Sequence, residues 1–128
     1  MPDLQTADKW HAYAAADLAF AKHGLSMNPV QLEIICYYCQ QAGEKALKAI
    51  LAYHEDVIPK IHDMNRLVSL CAAYEPQILS ISAEATRLAK YAVATRYPEE
   101  LEVVELDMRM ALTDAEAILS LVQPFWRT

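Results

Sequence analysis

Apolar residues recur at intervals of three and four along most of this chain, the spacing that places them on one face of an α-helix. The first such stretch ends where Gly24 occupies a C-cap position; Asn28 and Pro29 then supply an N-cap and a first-turn proline for a second, longer helix. This second helix is predicted to continue to about His54. The apolar positions are Trp10, Tyr13, Ala14, Leu18, Ala21 and Leu25, then Leu32, Ile35, Cys36, Cys39, Ala42, Gly43, Ala46, Ile50 and Tyr53.

A connector with Pro59 inside it, running from Val57 to His62, separates the long helix from a short third one. Asp63 is a suitable N-cap for this third helix, which is predicted to end near Pro76. Its apolar positions are Met64, Leu67, Val68, Cys71 and Tyr74.

Two further helical stretches complete the pattern. The fourth has a predicted break around Ser80 and Ser82 and stops before Pro98. The fifth places acidic residues in its first turn, where they favour the positive end of the helix dipole. Those acidic residues are Glu99, Glu100 and Glu102. The apolar positions of the fourth stretch are Ile78, Ile81, Ala85, Leu88, Ala92 and Thr95. Those of the fifth are Leu101, Val104, Met108, Ala111, Ala115, Ile118 and Val122.

The scarcity of turn residues indicates the fold class. Only two glycines and six prolines occur, and they fall where the helical period breaks, so hairpin-rich and βαβ folds lack their turn chemistry. At 128 residues and 55% hydrophobic, the chain fits one compact domain. We therefore expect an all-α fold, an antiparallel up-down bundle of four main helices plus a short extra helix.

Charge and cysteine content narrow the functional classes. The net charge of −6 and the pI of about 5.1 disfavour non-specific binding to nucleic-acid phosphates. Three cysteines, an odd number, and the lack of a basic-then-apolar leader favour a reducing cytoplasm over a secreted fold. Because no apolar run reaches membrane-spanning length, we expect a cytoplasmic protein without a membrane partner.

Cys36 and Cys39 form a Cys-x-x-Cys pair inside the second predicted helix. A redox pair of this kind needs its first cysteine at a helix N-terminus, where the dipole lowers the thiol pKa. A structural zinc site needs four ligands, and Cys71, His54 and His62 supply no second closely spaced pair. We interpret the two cysteines as small packing residues and expect no metal site.

The other face of the second helix carries polar residues at i, i+3, i+4 and i+7, namely Gln41, Glu44, Lys45 and Lys48. By itself this pattern is typical of a solvated surface with one weak salt bridge. If successive helices alternate in direction, however, one end of the bundle gathers Lys48, His62, Asp63, Arg96 and Tyr97. Such a group suits a phosphate or an acidic partner surface.

Structural roles are the alternative interpretation of these residues. Asp63 would cap the third helix, and His62 would bond to a backbone carbonyl. Arg96 would pair with Glu99 or Glu100.

Four motifs in this order resemble the signatures of the HEPN domain family: "DLAFAKHGL", "CYYCQQAGEKALKAIL", "IHDMNRL" and "ATRYPEE". The most specific part is Gln40 to Lys48, supported by His62-Asp63 and Arg96-Tyr97-Pro98. The resemblance spans about Asp8 to Val122, so it places the core of a single domain, residues 1–128, at about 8–122.

The resemblance implies a helical bundle that is usually dimeric and often paired with a separate minimal nucleotidyltransferase in bacterial and archaeal two-component systems. Many such pairs behave as toxin and antitoxin. Toxic members resemble metal-independent ribonucleases in which an arginine, followed after a few residues by a histidine, lies at the dimer interface. Here all four histidines precede the first arginine, Arg66, so this sequence has no Arg-then-His motif. The histidines are His11, His23, His54 and His62.

We therefore expect a non-catalytic HEPN subunit that dimerises, partners a minimal nucleotidyltransferase and assists nucleotide or substrate binding. No catalytic residue and no cofactor are expected, apart from a nucleotide ligand such as ATP. The expected nucleotide-binding or partner-binding residues are Gln41, Glu44, Lys45, Lys48, His62, Asp63, Arg96 and Tyr97.

Two other functions remain open. One is a ribonuclease toxin with an atypical pair such as His62 and Arg96, although the acidic net charge disfavours RNA as a partner. The other is a helical interaction protein without a nucleotide. A dimer is also expected on physical grounds, because several large apolar residues exceed what one bundle core can bury: Ile34, Tyr37, Tyr38, Phe125 and Trp126.

Overall fold

A computed structural model describes residues 2–92 and 102–127, and within these ranges the chain forms helices and no β-strand. The all-α prediction is thus confirmed. The α-helices in these ranges are α1 (Leu4–His23), α2 (Leu32–Tyr53), α3 (Met64–Ala72), α4 (Ser82–Leu88) and α5 (Glu105–Leu121). Short 3-10 turns lie at Gly24–Ser26, Pro76–Ile81, Ala89–Tyr91 and Phe125–Arg127.

Helices α1 and α2 pack against each other in opposite directions. The backbone N–H of Asp3 donates to the carbonyl of Tyr53 at 3.2 Å, so the start of α1 lies at the end of α2. At the opposite end, a Cβ atom added at Gly24 would lie 3.0 Å from Cγ1 of Ile35. The missing side chain at Gly24, the predicted C-cap of α1, therefore permits the close approach of α2.

The middle of α2 is the centre of the core. A Cβ atom added at Gly43 would lie 3.1 to 3.4 Å from side-chain carbons of Met64, Ile118 and Leu88. One residue from each of α3, α5 and α4 thus converges on this glycine. The largest fully buried apolar side chains are Leu47, Ile50, Leu51, Met64, Leu67, Ile78, Leu88, Met108, Ile118 and Val122.

Helix α3 runs in the same direction as the second half of α2. Its first residue, Met64, lies beside Gly43; further along, the Sγ of Cys71 donates to the carbonyl of Leu47 at 3.1 Å. The ring of Tyr74 then stacks on His54 with the centroids 4.3 Å apart. The prediction that α3 begins at the C-terminal end of α2 is wrong, because the connector folds back along α2.

The segment that contains α4 runs opposite to α2, and α5 runs parallel to α2. The side chain of Tyr91, which follows α4, lies close to the thiol of Cys36 near the start of α2. After α5, the ring of Trp126 stacks on Tyr53 at the end of α2, 5.8 Å between centroids. The C-terminal ends of α2 and α4 therefore lie at opposite ends of the bundle, which is a second correction to the predicted topology.

The fourth helix is shorter than its periodicity predicted. It spans seven residues, and its continuous apolar pattern is divided between α4 and the 3-10 turns on either side. The predicted break around Ser80 and Ser82 matches the junction between the Pro76–Ile81 turn and α4. Thr95 and Pro98 lie outside the described residues.

Two helix starts differ from their predictions. Helix α2 begins at Leu32 with Gln31 as its N-cap, because the extended backbone at Met27 places Asn28 and Pro29 in the connection from α1. Helix α5 begins at Glu105, so Glu102 lies before its first turn. The acidic residues of that turn are Glu105 and Asp107, and Glu99 and Glu100 lie outside the described residues.

The end of the described chain packs onto the start of α1. The indole Nε1 of Trp126 donates to Asp8 at 2.7 Å, and Arg127 forms an ion pair with the same carboxylate. Trp126 is buried, and Phe125 packs edge-on against Tyr53. These two aromatic residues were predicted to exceed the capacity of the core, but the fold buries Trp126 and half-buries Phe125.

In the described residues, no helix combines the length and the apolar character that crossing a bilayer requires.

Candidate functional site

A buried carboxylate, that of Glu44, organises the polar residues of α2. Its Oε1 accepts a hydrogen bond from Nε2 of Gln40 at 3.1 Å and lies 2.9 Å from Nδ1 of His62. Its Oε2 accepts from Nζ of Lys48 at 3.1 Å. Because Glu44 is only 3% exposed, these three partners replace the water that a carboxylate would otherwise bind.

Helical spacing and the cover of α1 explain the burial of this cluster. Gln40, Glu44 and Lys48 are four residues apart, so their side chains stack along one face of α2. The Nζ of Lys48 lies over the ring of Trp10 in α1, 5.6 Å from the ring centroid, a cation–π contact. Lys48 is 6% exposed. The interpretation of this face as a solvated surface is therefore wrong for Glu44 and Lys48.

Gln41 and Lys45 connect the cluster to its neighbours. Nε2 of Gln41 donates to Oε1 of Gln40 at 2.8 Å, and Nζ of Lys45 donates to Oδ2 of Asp17 in α1 at 2.7 Å. Both predicted lysines are thus neutralised by carboxylates of the same chain. Neither lysine therefore has an uncompensated positive charge with which to bind an anion.

His62 is the member of the cluster that solvent reaches. Its side chain is 64% exposed, although its Nδ1 lies against the buried Glu44. The alternative that His62 bonds to a backbone carbonyl is not what the structure shows. The capping alternative for Asp63 is confirmed, because its Oδ1 accepts from the backbone N–H of Arg66 at 3.1 Å.

The structure brings together only some of the five residues that were predicted to share one end of the bundle. His62 and Lys48 both contact Glu44, and Asp63 follows His62 directly. They meet beside the middle of α2 and not at its C-terminal end. Arg96 and Tyr97, with the predicted pairing of Arg96 to Glu99 or Glu100, lie outside the described residues.

The geometry of His62 has a chemical consequence. With Nδ1 occupied by the carboxylate, Glu44 fixes the orientation of the ring, and a ligand meets Nε2. A neutral ring that donates from Nδ1 accepts a hydrogen bond at Nε2, and a protonated ring donates one, as a phosphate oxygen requires. The cluster can therefore present one oriented imidazole nitrogen to a ligand.

The predictions from the sequence missed two members of this network and also a second buried ion pair. Gln40 and Trp10 were not among the predicted site residues, although Gln40 shares the four-residue spacing of Glu44 and Lys48. Asp114, 3% exposed, accepts two hydrogen bonds from Arg87 at 2.9 Å, and this pair joins α5 to α4. Its separation of 27 residues leaves no local pattern that sequence reasoning could use.

The cysteines lie in the core, as their interpretation as packing residues predicted. Cys36, Cys39 and Cys71 are buried and free. Burial raises the pKa of Cys36 to about 11 and the pKa of Cys39 and Cys71 to about 12. Among the described residues, no group of three or more His, Cys, Asp or Glu side chains could hold a metal ion.

These raised pKa values predict slow thiol chemistry in the folded protein. At pH 8 a thiol of pKa about 11 is ionised to roughly one part in a thousand, and only the thiolate reacts. Ellman's reagent should therefore label the native protein slowly and all three cysteines rapidly in guanidinium chloride. Rapid labelling of Cys36 or Cys39 without denaturant would contradict the packing role.

The sequence profile of the HEPN domain matches residues 7–124. The fold is similar to the crystal structure of TT1696 from Thermus thermophilus, with a TM-score of 0.73 and 26% sequence identity. That similarity covers 91% of this chain and 95% of the other. No curated protein matches the chain.

Proposed function

The chain belongs to the HEPN domain family, and from this premise we propose that it is a non-catalytic subunit that dimerises and binds a minimal nucleotidyltransferase. In such a two-component system, of the toxin and antitoxin kind, it would help to hold the nucleotide or substrate of its partner. The observation that carries the proposal is the Glu44 cluster, which presents His62 to a ligand.

The arrangement of charges supports binding more than catalysis. Lys45 and Lys48 are held by carboxylates of the chain, and His62 precedes every arginine of the sequence. The Arg-then-His order of ribonuclease members is therefore missing. A single oriented imidazole is enough for a hydrogen bond to a phosphate or to a partner protein.

The first experiment is recovery of the tagged protein from a lysate of its native cells, with mass spectrometry of the bound proteins. A small nucleotidyltransferase in stoichiometric amount is the expected result. If the tagged protein is recovered with RNA fragments and without a small nucleotidyltransferase, that result would count against the proposal.

Replacing His62 with Ala is expected to weaken ATP binding at least tenfold. A hydrogen bond to a charged group contributes about 1.5–3 kcal/mol, and each 1.4 kcal/mol is a factor of ten in affinity. Isothermal titration calorimetry with ATP measures the change. The matched control is His23→Ala, since His23 is exposed on the last turn of α1, away from the cluster. Equal affinities for both variants and the wild type would refute the role of His62.

A second candidate function is favoured by one observation, the carboxylate that orients His62. Such a pair can act as a general base on the 2′-hydroxyl of RNA. A ribonuclease would cleave RNA in the presence of EDTA, and His62→Ala would abolish the cleavage. Intact RNA after prolonged incubation with the wild type would exclude this candidate.

A further inference from the structure

The 3-10 turn Phe125–Arg127, which we call the aromatic turn, is held on the helices by its side chains. The backbone N–H of Arg127 donates to a carbonyl three positions earlier, so this bond stays within the segment. The indole Nε1 of Trp126 donates to Asp8 in α1, and its ring stacks on Tyr53 in α2. The aromatic turn can therefore separate from α1 without breaking the backbone bonds of a helix.

His11, three positions after Asp8 in α1, packs against the aromatic turn. Its ring meets the ring of Trp126 edge-on, 6.2 Å between centroids. The residue is half-buried, and its Nε2 is shielded from solvent. Within the part of the chain that the structure describes, this Nε2 is the buried side-chain nitrogen that lacks a hydrogen-bond partner.

The surroundings of His11 favour its neutral form. A neutral ring can keep its proton on Nδ1, whereas a protonated ring also carries an N–H at Nε2. That N–H and the positive charge would be buried without an acceptor, which costs free energy. Burial accordingly lowers the pKa of His11 below its ordinary value, and the nearby Asp8 carboxylate only partly opposes this effect.

The charged groups near this contact are ion-paired. The end of α5 adds none, because residues 117–126 include no Asp, Glu, Lys, Arg or His. The pairs on the neighbouring elements are Asp8 with Arg127, Lys45 of α2 with Asp17, and Lys48 of α2 with Glu44.

Asp8 does not respond to pH in the same range as His11. Hydrogen bonds from Arg127 and Trp126 lower the pKa of its carboxyl below the ordinary value of about 4. Asp8 therefore stays ionised at pH 5, where an exposed histidine is protonated. Between pH 7 and pH 5, His11 is the group whose proton changes the contact between the aromatic turn and α1.

We propose that the aromatic turn is a pH-sensitive switch, which protonation of His11 releases from α1. Once the turn has separated, the ring of His11 meets water and takes up a proton more readily than in the closed form. The closed form is therefore fully stable above the ordinary histidine pKa of about 6.5 and loses stability as the pH falls through this value. The loss levels off below the lowered pKa of the closed form.

Release of the aromatic turn would expose apolar surface. Trp126 forms a buried cluster with Ala7 of α1 and with Ala49 and Ala52 of α2, all of which it would uncover. The switch involves neither the ligand nor the partner of the proposed function. Either proposal can therefore fail while the other stands.

Hydrogen exchange of the Trp126 indole measures how often the switch opens. Its Nε1–H is bonded to Asp8 in the closed form and exchanges with solvent from the open form. NMR of the isotope-labelled protein resolves the indole signals of the two tryptophans, and Trp10→Phe assigns them. Between pH 7.5 and pH 5, protection relative to free tryptophan should fall by about three- to 30-fold, the upper limit being set by a pKa of about 6.5 in the open form.

His11→Phe is the decisive variant, because phenylalanine keeps a ring beside Trp126 and cannot take up a proton. Its protection of the Trp126 indole should not change between pH 7.5 and pH 5. The control is His54→Phe, since His54 meets Tyr53 edge-on and pairs with Glu75. This control should keep the fall of the wild type. If circular dichroism shows that His11→Phe is not helical, His11→Gln takes its place.

Three results would overturn the proposal. The first is constant protection of the Trp126 indole in the wild type from pH 7.5 to pH 5. The second is a fall that persists in the neutral variants of His11 or disappears in His54→Phe. The third is an equal loss of protection at the backbone N–H of the buried Leu47, which would mean that the whole fold opens and not the aromatic turn alone.

Discussion

Replacing Glu44 with Ala is expected to lower the free energy of unfolding by about 3–5 kcal/mol. Lys48 would keep its charge at a position that is 6% exposed, without the carboxylate that now lies 3.1 Å away. The amide nitrogen of Gln40, also buried, would lose its acceptor. A loss of this size is a large share of the 5–15 kcal/mol that stabilises an ordinary domain.

Guanidinium chloride unfolding of the wild type and the variant, at equal protein concentration, measures the difference. The matched control is the double variant Glu44→Leu with Lys48→Met, which removes both charges and keeps much of the buried volume. Because the unpaired charge causes most of the loss, the double variant should be more stable than Glu44→Ala, with about 1–3 kcal/mol lost through Gln40. If Glu44→Ala costs less than 1 kcal/mol, Glu44 does not neutralise Lys48 in solution.

Helix content was predictable because its signals are local. Asp63 caps α3 and Gly24 caps α1, and each signal involves residues within four positions of the helix end. Apolar periodicity likewise identified one buried stripe of α2, from Ile35 to Ile50, and most of the buried residues of α5. It missed Leu47 and Leu51, because the second half of α2 is buried on more than one face.

The course of the connections between helices could not be predicted from local signals. Asn28 and Pro29 have the chemistry of a helix start, but the chain needs these residues to turn from α1 into the antiparallel α2. The connector before Met64 folds back along α2 because Met64 packs at Gly43, and no local pattern encodes that contact. Tertiary packing therefore decided both features.

The candidate site also combines features that local sequence signals predict with features that depend on tertiary packing. Glu44 and Lys48 could be predicted as an ion pair from their spacing, yet the same spacing occurs on solvated helices. Their burial depends on Trp10, which lies 38 positions before Lys48 in the chain and covers it from α1. The contact of His62 with Glu44 spans 18 residues and likewise depends on how the connector folds.

Replacing Leu88 with Ala is expected to lower the free energy of unfolding by about 2–5 kcal/mol, through lost burial and the cavity left behind. Leu88 is fully buried, and its Cδ1 lies 3.4 Å from the position that a Cβ at Gly43 would take. At this point α3, α4 and α5 meet α2. Neighbouring side chains from three helices would have to move together to close the space, so we expect little relaxation.

Leu79→Ala is the matched control for this change, since the same atoms are removed from a side chain that is 59% exposed. Its effect should stay within about 0.5 kcal/mol. Thermal unfolding followed by circular dichroism separates the two variants, because 1 kcal/mol corresponds to roughly 4 °C in a domain of this size. Equal melting temperatures for Leu88→Ala and Leu79→Ala would mean that the helices do not converge on Gly43. A large loss in Leu88→Ala alone would place the centre of the folded core at the middle of α2, one position before Glu44.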